Sequence, residues 1–224
     1  MPVLAPHMPR NFARSAFELF AERGFAAVNL DQIAARSGVT KGSLYHHYGS
    51  KKELILSACQ HYYRNWMQNT QAELAPLTDP LERLTAVLES SVRTCVIDRR
   101  NRVFTTEIWA MALYDNDVRA SWAQFYDSVR ETYVGLVESA RSAGQLRTSN
   151  PRQAVDFMLS TMEGIKQRAS FEPEVAAPAE QQAILANLLS TLGVKEKRRS
   201  CRRTSSVVRS PLSVVGGHRS ARCN

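Results

Sequence analysis

The sequence predicts an all-α fold, and three observations support this prediction. Apolar residues recur three and four positions apart along most of the chain. Helix caps and glycines divide this pattern into segments of helical length. No alternating strand pattern or hairpin dipeptide competes with these segments. We therefore expect a small N-terminal three-helix unit, followed by a larger helical bundle.

The first predicted helix lies within the stretch RNFARSAFELFAERGF. Gly24 is placed to end this helix, and Phe25 can fold back on Phe20 as the hydrophobic contact of a Schellman cap. Residues of its apolar face follow helical spacing: Phe12, Ala13, Ala16, Leu19 and Phe20.

The second and third helices are predicted within Leu30–Lys52, LDQIAARSGVTKGSLYHHYGSKK. Asn29 and Gln32 fit a capping box, and Gly38 can adopt the left-handed conformation that ends a helix. A new helix starts after Thr40, which can cap it. Two short helices joined by such a turn form a helix-turn-helix, whose second helix enters the DNA major groove.

The fourth helix is predicted to start after Ser50, which forms a second capping pair with Glu53. The elements LFAERGF, LDQIAARSGVTKGSLYHHY and Lys51–Leu54 together resemble the N-terminal domain of the TetR family of transcriptional regulators. The resemblance covers Arg10–Leu56, about a quarter of the chain. It departs at Asn29, where the family usually has Thr, although Asn can also cap. The resemblance implies a regulator that binds double-stranded operator DNA, and a ligand-released repressor of a neighbouring operon is the leading interpretation.

Eight residues are expected to face DNA. Lys51 begins a helix whose backbone N–H groups also favour a phosphate, and a side chain at Gly42 could block close approach of the helix to DNA. His46 is expected to face DNA, whereas His47 is expected to pack within the motif. The full predicted DNA-binding set is Asn29, Thr40, Lys41, Gly42, Ser43, Tyr45, His46 and Lys51.

The remaining chain reads as a series of helices near residues 51–74, 80–98, 102–113, 115–142, 151–171 and 179–192. Asp79 and Asn150 are typical N-caps, and each is followed by Pro at the first helical position. We predict three regions: a DNA-binding domain over 1–54, an effector-binding and dimerisation domain over 55–194, and a basic tail over 195–224.

Aromatic residues concentrate in the middle of this second region. They are typical of an ordinary bundle core, but they also suit the wall of an effector pocket, because such pockets are mostly apolar with a few polar groups. Residues 81–170 resemble the betaine-regulator branch of TetR proteins, which implies an effector without identifying it. The predicted ligand-binding set is Trp109, Tyr114, Trp122, Phe125, Tyr126 and Tyr133.

The last two predicted helices carry broad apolar stripes. These stripes can pack within one subunit, or they can pair two subunits. TetR-like proteins use these helices to form a homodimer, and an operator-reading helix needs a partner to cover two half-sites. The predicted interface residues are Phe157, Met158, Met162, Ile165, Leu185, Leu188 and Leu192.

Charge and cysteine content refine the functional class. The net charge of +8 resides in the tail from Lys195, so the body is neutral and its charge alone does not indicate DNA binding. That tail suits a basic arm that raises non-specific DNA affinity, or a sequence artefact. The four cysteines lack metal-type spacing, which favours a reduced, cytoplasmic location.

Several other functions find little support in the sequence. No apolar run approaches a membrane span, and no signal peptide is evident. His46 and His47 point about 100° apart on a helix, so they form no metal pair, and no cofactor is expected. No catalytic motif is present, so we expect no enzyme. A small helical enzyme and a constitutive DNA-binding protein without an effector remain the alternatives.

Overall fold

The computed structural model describes residues 10–194, and within this range the fold is all-α, as predicted. Its nine α-helices are α1 (Arg10–Arg23), α2 (Leu30–Ser37), α3 (Lys41–His47), α4 (Lys51–Leu74), α5 (Pro80–Ser91), α6 (Arg99–Ala112), α7 (Asn116–Ser142), α8 (Pro151–Arg168) and α9 (Gln181–Thr191). A π-helical turn (Val92–Ile97) follows α5, and two 3₁₀ turns (Pro173–Ala176 and Pro178–Glu180) precede α9. The predicted basic tail lies outside the described residues.

Helices α1 to α3 form the expected three-helix unit. Gly24 has a φ of +78° and ends α1, while the rings of Phe20 and Phe25 lie 5.0 Å apart. Gly38, with a φ of +70°, ends α2, and the N–H of Val39 donates to the carbonyl of Ala34 at 3.1 Å. These contacts confirm both predicted helix ends.

The N-caps predicted from the sequence are also present. Asn29 and Gln32 form the complete reciprocal capping box. The side chains of Thr40, Ser50, Asp79 and Asn150 each accept a backbone N–H three residues later, in α3, α4, α5 and α8 respectively. Cap chemistry within four residues therefore sets most helix starts.

Helix α4 passes through both predicted domains without a break. The predicted boundary after Leu54 falls within its first turn, and its 24 residues extend about 36 Å. Buried side chains along α4 belong to one hydrophobic core that includes both the three-helix unit and the bundle. The domain boundary therefore stays a prediction, because the two regions share this helix.

The helix predicted over 80–98 is divided differently. α5 ends at Ser91, and the backbone then forms the π turn, in which the N–H of Asp98 donates to the carbonyl of Arg93 at 3.1 Å. Asp98 also caps α6 by accepting the N–H of Arg100 at 2.8 Å. Because Asp98 serves as this cap, α6 starts at Arg99, three residues earlier than predicted.

The apolar stripes of α8 and α9 mostly face the core of their own subunit. Met158, Met162, Leu185, Leu188 and Leu192 are all buried, because α8 and α9 pack on each other and on the π turn. The structure corrects their assignment to a subunit interface, since their side chains are already covered. Of the seven predicted interface residues, only Phe157, which is 63% exposed, and the half-buried Ile165 remain available to a partner.

We expect Leu188→Asp to unfold the protein rather than yield folded monomers. The substitution places a charge in an apolar core and removes a side chain that is 1% exposed, at a cost of roughly 3–5 kcal/mol. Thermal unfolding followed by circular dichroism measures this loss. Asn187→Asp, at the adjacent exposed position, is the control. A folded Leu188→Asp monomer with an unchanged melting temperature would contradict the assignment of Leu188 to the core.

Candidate DNA-binding surface and effector site

Helix α3 presents one polar face to solvent. Lys41, Gly42, Tyr45 and His46 are exposed, whereas Leu44 on the opposite face is buried. Tyr45 is 45% exposed. Large aromatic side chains are more often buried, so packing within the subunit does not explain a tyrosine at this position. The predicted reading residues therefore share a surface.

The buried face of α3 fixes this surface against α4. Tyr48 directly follows α3 and is fully buried, and its hydroxyl lies 2.9 Å from the hydroxyl of Ser57 in α4. The ring of His47 lies 5.6 Å from that of Phe12, but His47 is exposed, so its predicted packing within the motif is limited to this contact. The orientation of α3 therefore depends on α4 and α1.

Lys41 is held over the exposed face of α3. Its ammonium lies 2.7 Å from a carboxylate oxygen of Asp31 and 5.8 Å from the centre of the Tyr45 ring. The hydrogen bond from Lys41 to Asp31 and the charge of that carboxylate raise the pKa of Lys41, so it stays cationic. A DNA phosphate would compete with Asp31 for this cation.

The two lysines at the start of α4 have different roles. Lys52 forms ion pairs with Asp115 at 2.8 Å and Asp117 at 2.7 Å, at the start of α7. Its hydrogen bond lowers the pKa of Asp115, so this pair stays charged at neutral pH. Lys51 has no ion-pair partner among residues 10–194, which leaves it available as the predicted phosphate contact.

The other two predicted DNA-facing caps are exposed, but their side chains are already engaged. Asn29 accepts the N–H of Gln32 at 2.9 Å, and Thr40 accepts that of Ser43 at 3.2 Å. Their predicted contacts with DNA would therefore use the neighbouring backbone or add to these hydrogen bonds. The assignment of all eight residues to DNA stays a prediction.

A chain of ion pairs connects the bundle to the helix-turn-helix. Arg100 of α6 lies 3.2 Å from Glu22 of α1, which lies 3.3 Å from Arg36 of α2. Exposed pairs of this kind contribute about 0–1 kcal/mol to stability, so their main effect is on orientation. Nearby, Phe17 and Phe104 pack edge to face at 4.9 Å and join α1 to α6 through apolar contact.

Four of the six predicted effector residues come together. Trp122, Phe125 and Tyr126 are successive neighbours on one face of α7, with ring centres 5.4 to 6.3 Å apart. Tyr133 continues this face, and its hydroxyl donates to the hydroxyl of Ser91 at 2.8 Å. These rings line the buried side of α7, between α4 and α8.

The other two predicted effector residues lie outside this cluster. Trp109 is 37% exposed and borders two outer clefts, one beside Tyr126 and one that it shares with Trp122 and Tyr126. Tyr114 is 91% exposed at the end of α6 and belongs to no cavity wall described for residues 10–194. The structure corrects the assignment of Tyr114 to the aromatic site, because Tyr114 comes after the last residue of α6 and its ring is almost fully exposed.

Sequence reasoning missed the parts of the wall that α4 and α8 contribute. Tyr62 and Trp66 lie four residues apart on α4, a spacing that places them on one helix face. Glu163 and Lys166, three residues apart on α8, add two charges. The aromatic spacing on α4 could have been noticed, but nothing local shows that α4 faces α7.

The charged pair in this wall is unusually well buried. Lys166 is 3% exposed, and its ammonium lies 2.9 Å from Glu163, which also accepts a hydrogen bond from the hydroxyl of Tyr126. Burial, followed by the nearby carboxylate, raises the pKa of Tyr126 well above its ordinary value. Tyr126 therefore stays protonated and donates a hydrogen bond. The charges of Lys166 and Glu163 compensate each other within the wall.

The pocket among the aromatic rings and the cleft outside it differ greatly in volume. The pocket among the clustered aromatics holds about 40 Å³, little more than the share of one water molecule. A cleft outside Tyr126 and Glu163, bordered by Trp109 and Gly164, holds about 480 Å³ but is open to solvent. The aromatic cluster is thus closely packed in this conformation, and a ligand there would require side chains to move.

Two family models match the chain after its first residues. The model described as bacterial regulatory proteins of the tetR family matches residues 13–58, and the model described as the C-terminal domain of BetI-type transcriptional repressors matches residues 80–194. The chain belongs to the TetR family. It is therefore a helix-turn-helix transcriptional regulator with a helical C-terminal domain, as the sequence predicted. Family membership also confirms the prediction that it is not an enzyme.

Curated relatives match mainly over the N-terminal region. The transcriptional activator FasR of Mycolicibacterium smegmatis is 40% identical over 76 residues, which cover 34% of this chain and 35% of FasR. The transcriptional regulator AcrR of Shigella flexneri is 25% identical over 167 residues, covering 71% of this chain and 76% of AcrR. The alignments with the first curated relatives span about a third or less of those proteins.

Solved TetR-like structures share the whole fold. A transcriptional regulator from Saccharomonospora viridis in complex with choline aligns with a TM-score of 0.74 and 19% identity, covering 84% of this chain and 97% of that one. The fatty acid degradation regulator FadR of Bacillus halodurans gives a TM-score of 0.69 at 16% identity, covering 85% and 100%. At these identities the likeness concerns the fold alone.

Residues 10–194 contain no group of three or more His, Cys, Asp or Glu side chains placed to hold a metal ion. No helix in this part of the chain is both long and apolar enough to cross a bilayer.

Gly42 allows a direct test of the reading surface. A Cβ at Gly42 would meet no atom within 4 Å, so Gly42→Ala should leave the fold intact and raise stability by up to about 1 kcal/mol. We expect operator affinity to fall about tenfold because the methyl group obstructs close approach to DNA. Fluorescence anisotropy with labelled operator and chemical denaturation measure the two effects.

Gly135→Ala in α7 is the matched control, because its Cβ would also occupy open space on a helix. It should stabilise the protein without changing operator affinity. If Gly42→Ala binds operator as tightly as Gly135→Ala does, Gly42 does not approach DNA.

Proposed function

We propose that the chain acts as a homodimeric, ligand-released repressor of a neighbouring operon. The observation that supports operator binding most directly is the exposed polar face of α3, whose opposite face is fixed by the buried contact of Tyr48 with Ser57. A rigidly held helix with exposed hydrogen-bonding groups is what major-groove reading requires. The available cation of Lys51 suits a phosphate next to that groove.

The proposed dimer uses the outer sides of α8 and α9. Phe157 is exposed on α8, and Gly164, two turns later, has open space around it. The outer side of α9 carries the small exposed residues Ala183 and Ala186. Small residues permit close helix approach, and an exposed Phe favours burial by a partner. A twofold dimer would then place two α3 helices on successive half-sites.

The repressing sign of the response is also part of the proposal. The relative FasR is named an activator, whereas KstR2 of Mycolicibacterium smegmatis, 34% identical over 76 residues, is named a repressor. The C-terminal match to the BetI-type repressor model favours repression for this chain. A bound ligand would release DNA if it favoured an arrangement in which the two α3 helices no longer fit adjacent grooves.

Choline is a poor candidate for the ligand of this chain, although the Saccharomonospora viridis regulator is in complex with it. Aromatic faces attract a quaternary ammonium ion. Here, however, the ammonium of Lys166 is already buried in the aromatic wall and pairs with Glu163. A second cation would be repelled by Lys166 and would lack a free carboxylate, so we propose an uncharged effector.

Operator binding can be tested with fragments from the region upstream of the gene. Lys51→Ala should weaken binding to all DNA sequences alike and reduce the salt slope by about one unit per subunit. Tyr45→Ala should mainly reduce the preference for operator over unrelated DNA. Anisotropy titrations at several salt concentrations measure both effects, with the exposed Arg64→Ala in α4 as the control.

A wild-type protein that shows no preference for any upstream fragment would contradict operator recognition. Operator binding that no metabolite alters would instead favour a constitutive DNA-binding protein.

The dimer is tested with Phe157→Glu. Because Phe157 is 63% exposed, the charge should leave the subunit folded but prevent close contact between two copies. We expect sedimentation at the monomer mass, an unchanged circular dichroism spectrum and loss of operator binding. Leu113→Glu, at a residue 71% exposed at the end of α6, is the matched control and should remain dimeric. A dimer that persists in Phe157→Glu would place the interface elsewhere.

A further inference from the structure

A separate cavity lies where the three-helix unit meets the bundle. It holds about 190 Å³, and its walls come from α1, α4, α5, the π turn and α6. Tyr62, Trp66 and Cys95 line both this junction cavity and the small aromatic pocket beside it. The hydroxyl of Tyr62 lies 3.5 Å from the sulfur of Cys95, so this pair forms part of the partition between the two spaces.

The junction cavity is rich in uncharged polar groups. Its wall contains three amide side chains and four Ser or Thr hydroxyl side chains, namely Asn65, Asn69, Asn101, Thr70, Ser90, Ser91 and Thr94. A polar space of this size holds water or a polar guest, since an apolar guest would leave these groups without hydrogen bonds. None of these residues was predicted from the sequence to belong to a binding site.

The charged groups in the wall already have hydrogen-bonding partners. Arg100 pairs with Glu22 at 3.2 Å. Asp98 accepts the backbone N–H of Arg100 at 2.8 Å and lies 3.2 Å from the amide nitrogen of Asn101. An anionic guest would therefore find no free cation in the wall, whereas a neutral guest would find amides, hydroxyls, the hydrogen-bond-accepting carboxylate of Asp98 and the aromatic rings of Trp66 and Tyr62.

The backbone on one side of the cavity is irregular. Thr94 and Cys95 belong to the π turn, whose wider helix is uncommon and often occurs at functional sites. Thr94 donates its hydroxyl to the carbonyl of Ser90 at 2.8 Å, and Asn101 donates to the carbonyl of Thr94 at 2.7 Å. These bonds hold the widened turn against the cavity.

We propose that the junction cavity binds a small, uncharged, polyhydroxylated molecule of about monosaccharide size, and that this molecule is the effector. The inference rests on the proposed function and specifies its ligand class. The volume is below the roughly 300–1,000 Å³ of pockets for drug-sized ligands, so the guest is small. Its hydroxyl groups would bond to the amides, and its C–H faces would pack on Trp66 and Tyr62.

A molecule bound in this cavity would affect DNA binding through residues of the cavity wall that contact α1 and α2. Phe17 of α1 lines the cavity and packs on Phe104 of α6. Arg100, another lining residue, connects through Glu22 to Arg36 of the helix-turn-helix. A guest that displaces Phe17 or Arg100 would therefore shift α1 and α2 relative to α6.

Cys95 provides a local measurement of occupancy. We would incubate the full-length protein with methyl β-D-glucopyranoside, methyl β-D-galactopyranoside or myo-inositol, then alkylate with iodoacetamide and quantify each cysteine by peptide mass spectrometry. A bound guest should slow alkylation of Cys95 by about tenfold at about ten times its dissociation constant. Cys59 is an internal control, since burial raises its pKa to about 12 and keeps it unreactive in the folded protein.

Variants of the cavity wall then test whether the protection of Cys95 from alkylation arises from binding in this cavity. Asn65→Leu keeps the side-chain size but removes the amide, and should weaken protection about tenfold. Asn69→Trp alters an exposed position of the wall and should block entry without disturbing the core. Gln68→Leu is the matched control, because Gln68 is exposed on the same helix and does not line the cavity.

The expected result is protection of Cys95 by at least one neutral probe but not by choline or benzoate, together with weaker operator binding. Absence of protection by every neutral probe would overturn the proposal, as would protection only by a charged probe. Protection without any change in operator affinity would overturn the role of this molecule as effector. Operator binding by the unliganded protein is measured separately, so failure of the proposed function is distinguishable.

Discussion

Helix α4 determines how the reading surface relates to the rest of the molecule. Its first turns hold α3 through the buried contact between Tyr48 and Ser57, and its middle supplies Tyr62 and Trp66 to the walls of two neighbouring cavities. An unbroken helix is stiff over this length, because displacing one turn relative to the next breaks backbone hydrogen bonds. A change at Tyr62 would therefore move α3 together with α4.

A second contact limits what that movement can be. The end of α1 lies so close to α6 that a Cβ at Gly24 would stand 2.8 Å from a carboxylate oxygen of Glu107. At the start of α4, Lys52 is paired with Asp115 and Asp117. The N-terminal helices are thus attached to α6 through α1 and to the start of α7 through α4. Differential movement of α6 and α7 would rotate the N-terminal helices. In a dimer, ligand-binding energy could thereby change the distance between the two α3 helices.

The sequence predicted features whose physical cause is local. The caps at Asn29 and Asp79 and the left-handed turn at Gly38 depend on residues within about four positions, and all are present. The sequence could not show whether Leu188 is buried within its own subunit or against a partner subunit, because an apolar helix face suits both environments. The exposure of Tyr114 likewise depends on where α6 ends in space. Local chemistry therefore predicted the DNA-reading element better than the effector site.

The buried pair of Lys166 and Glu163 narrows the chemistry that this fold can accept. Two compensated charges need their mutual contact, since leaving either one unpaired in the interior costs several kcal/mol. A charged guest in the aromatic pocket would have to replace one member of that pair, whereas a neutral guest disturbs neither. The hydroxyl of Tyr126 is bound to the same carboxylate, so the charged part of the wall is already satisfied, whereas the indole N–H of Trp122 is buried without a hydrogen-bond partner among residues 10–194. A larger number of amide and hydroxyl groups line the junction cavity, next to α1 and therefore closer to the DNA-reading unit.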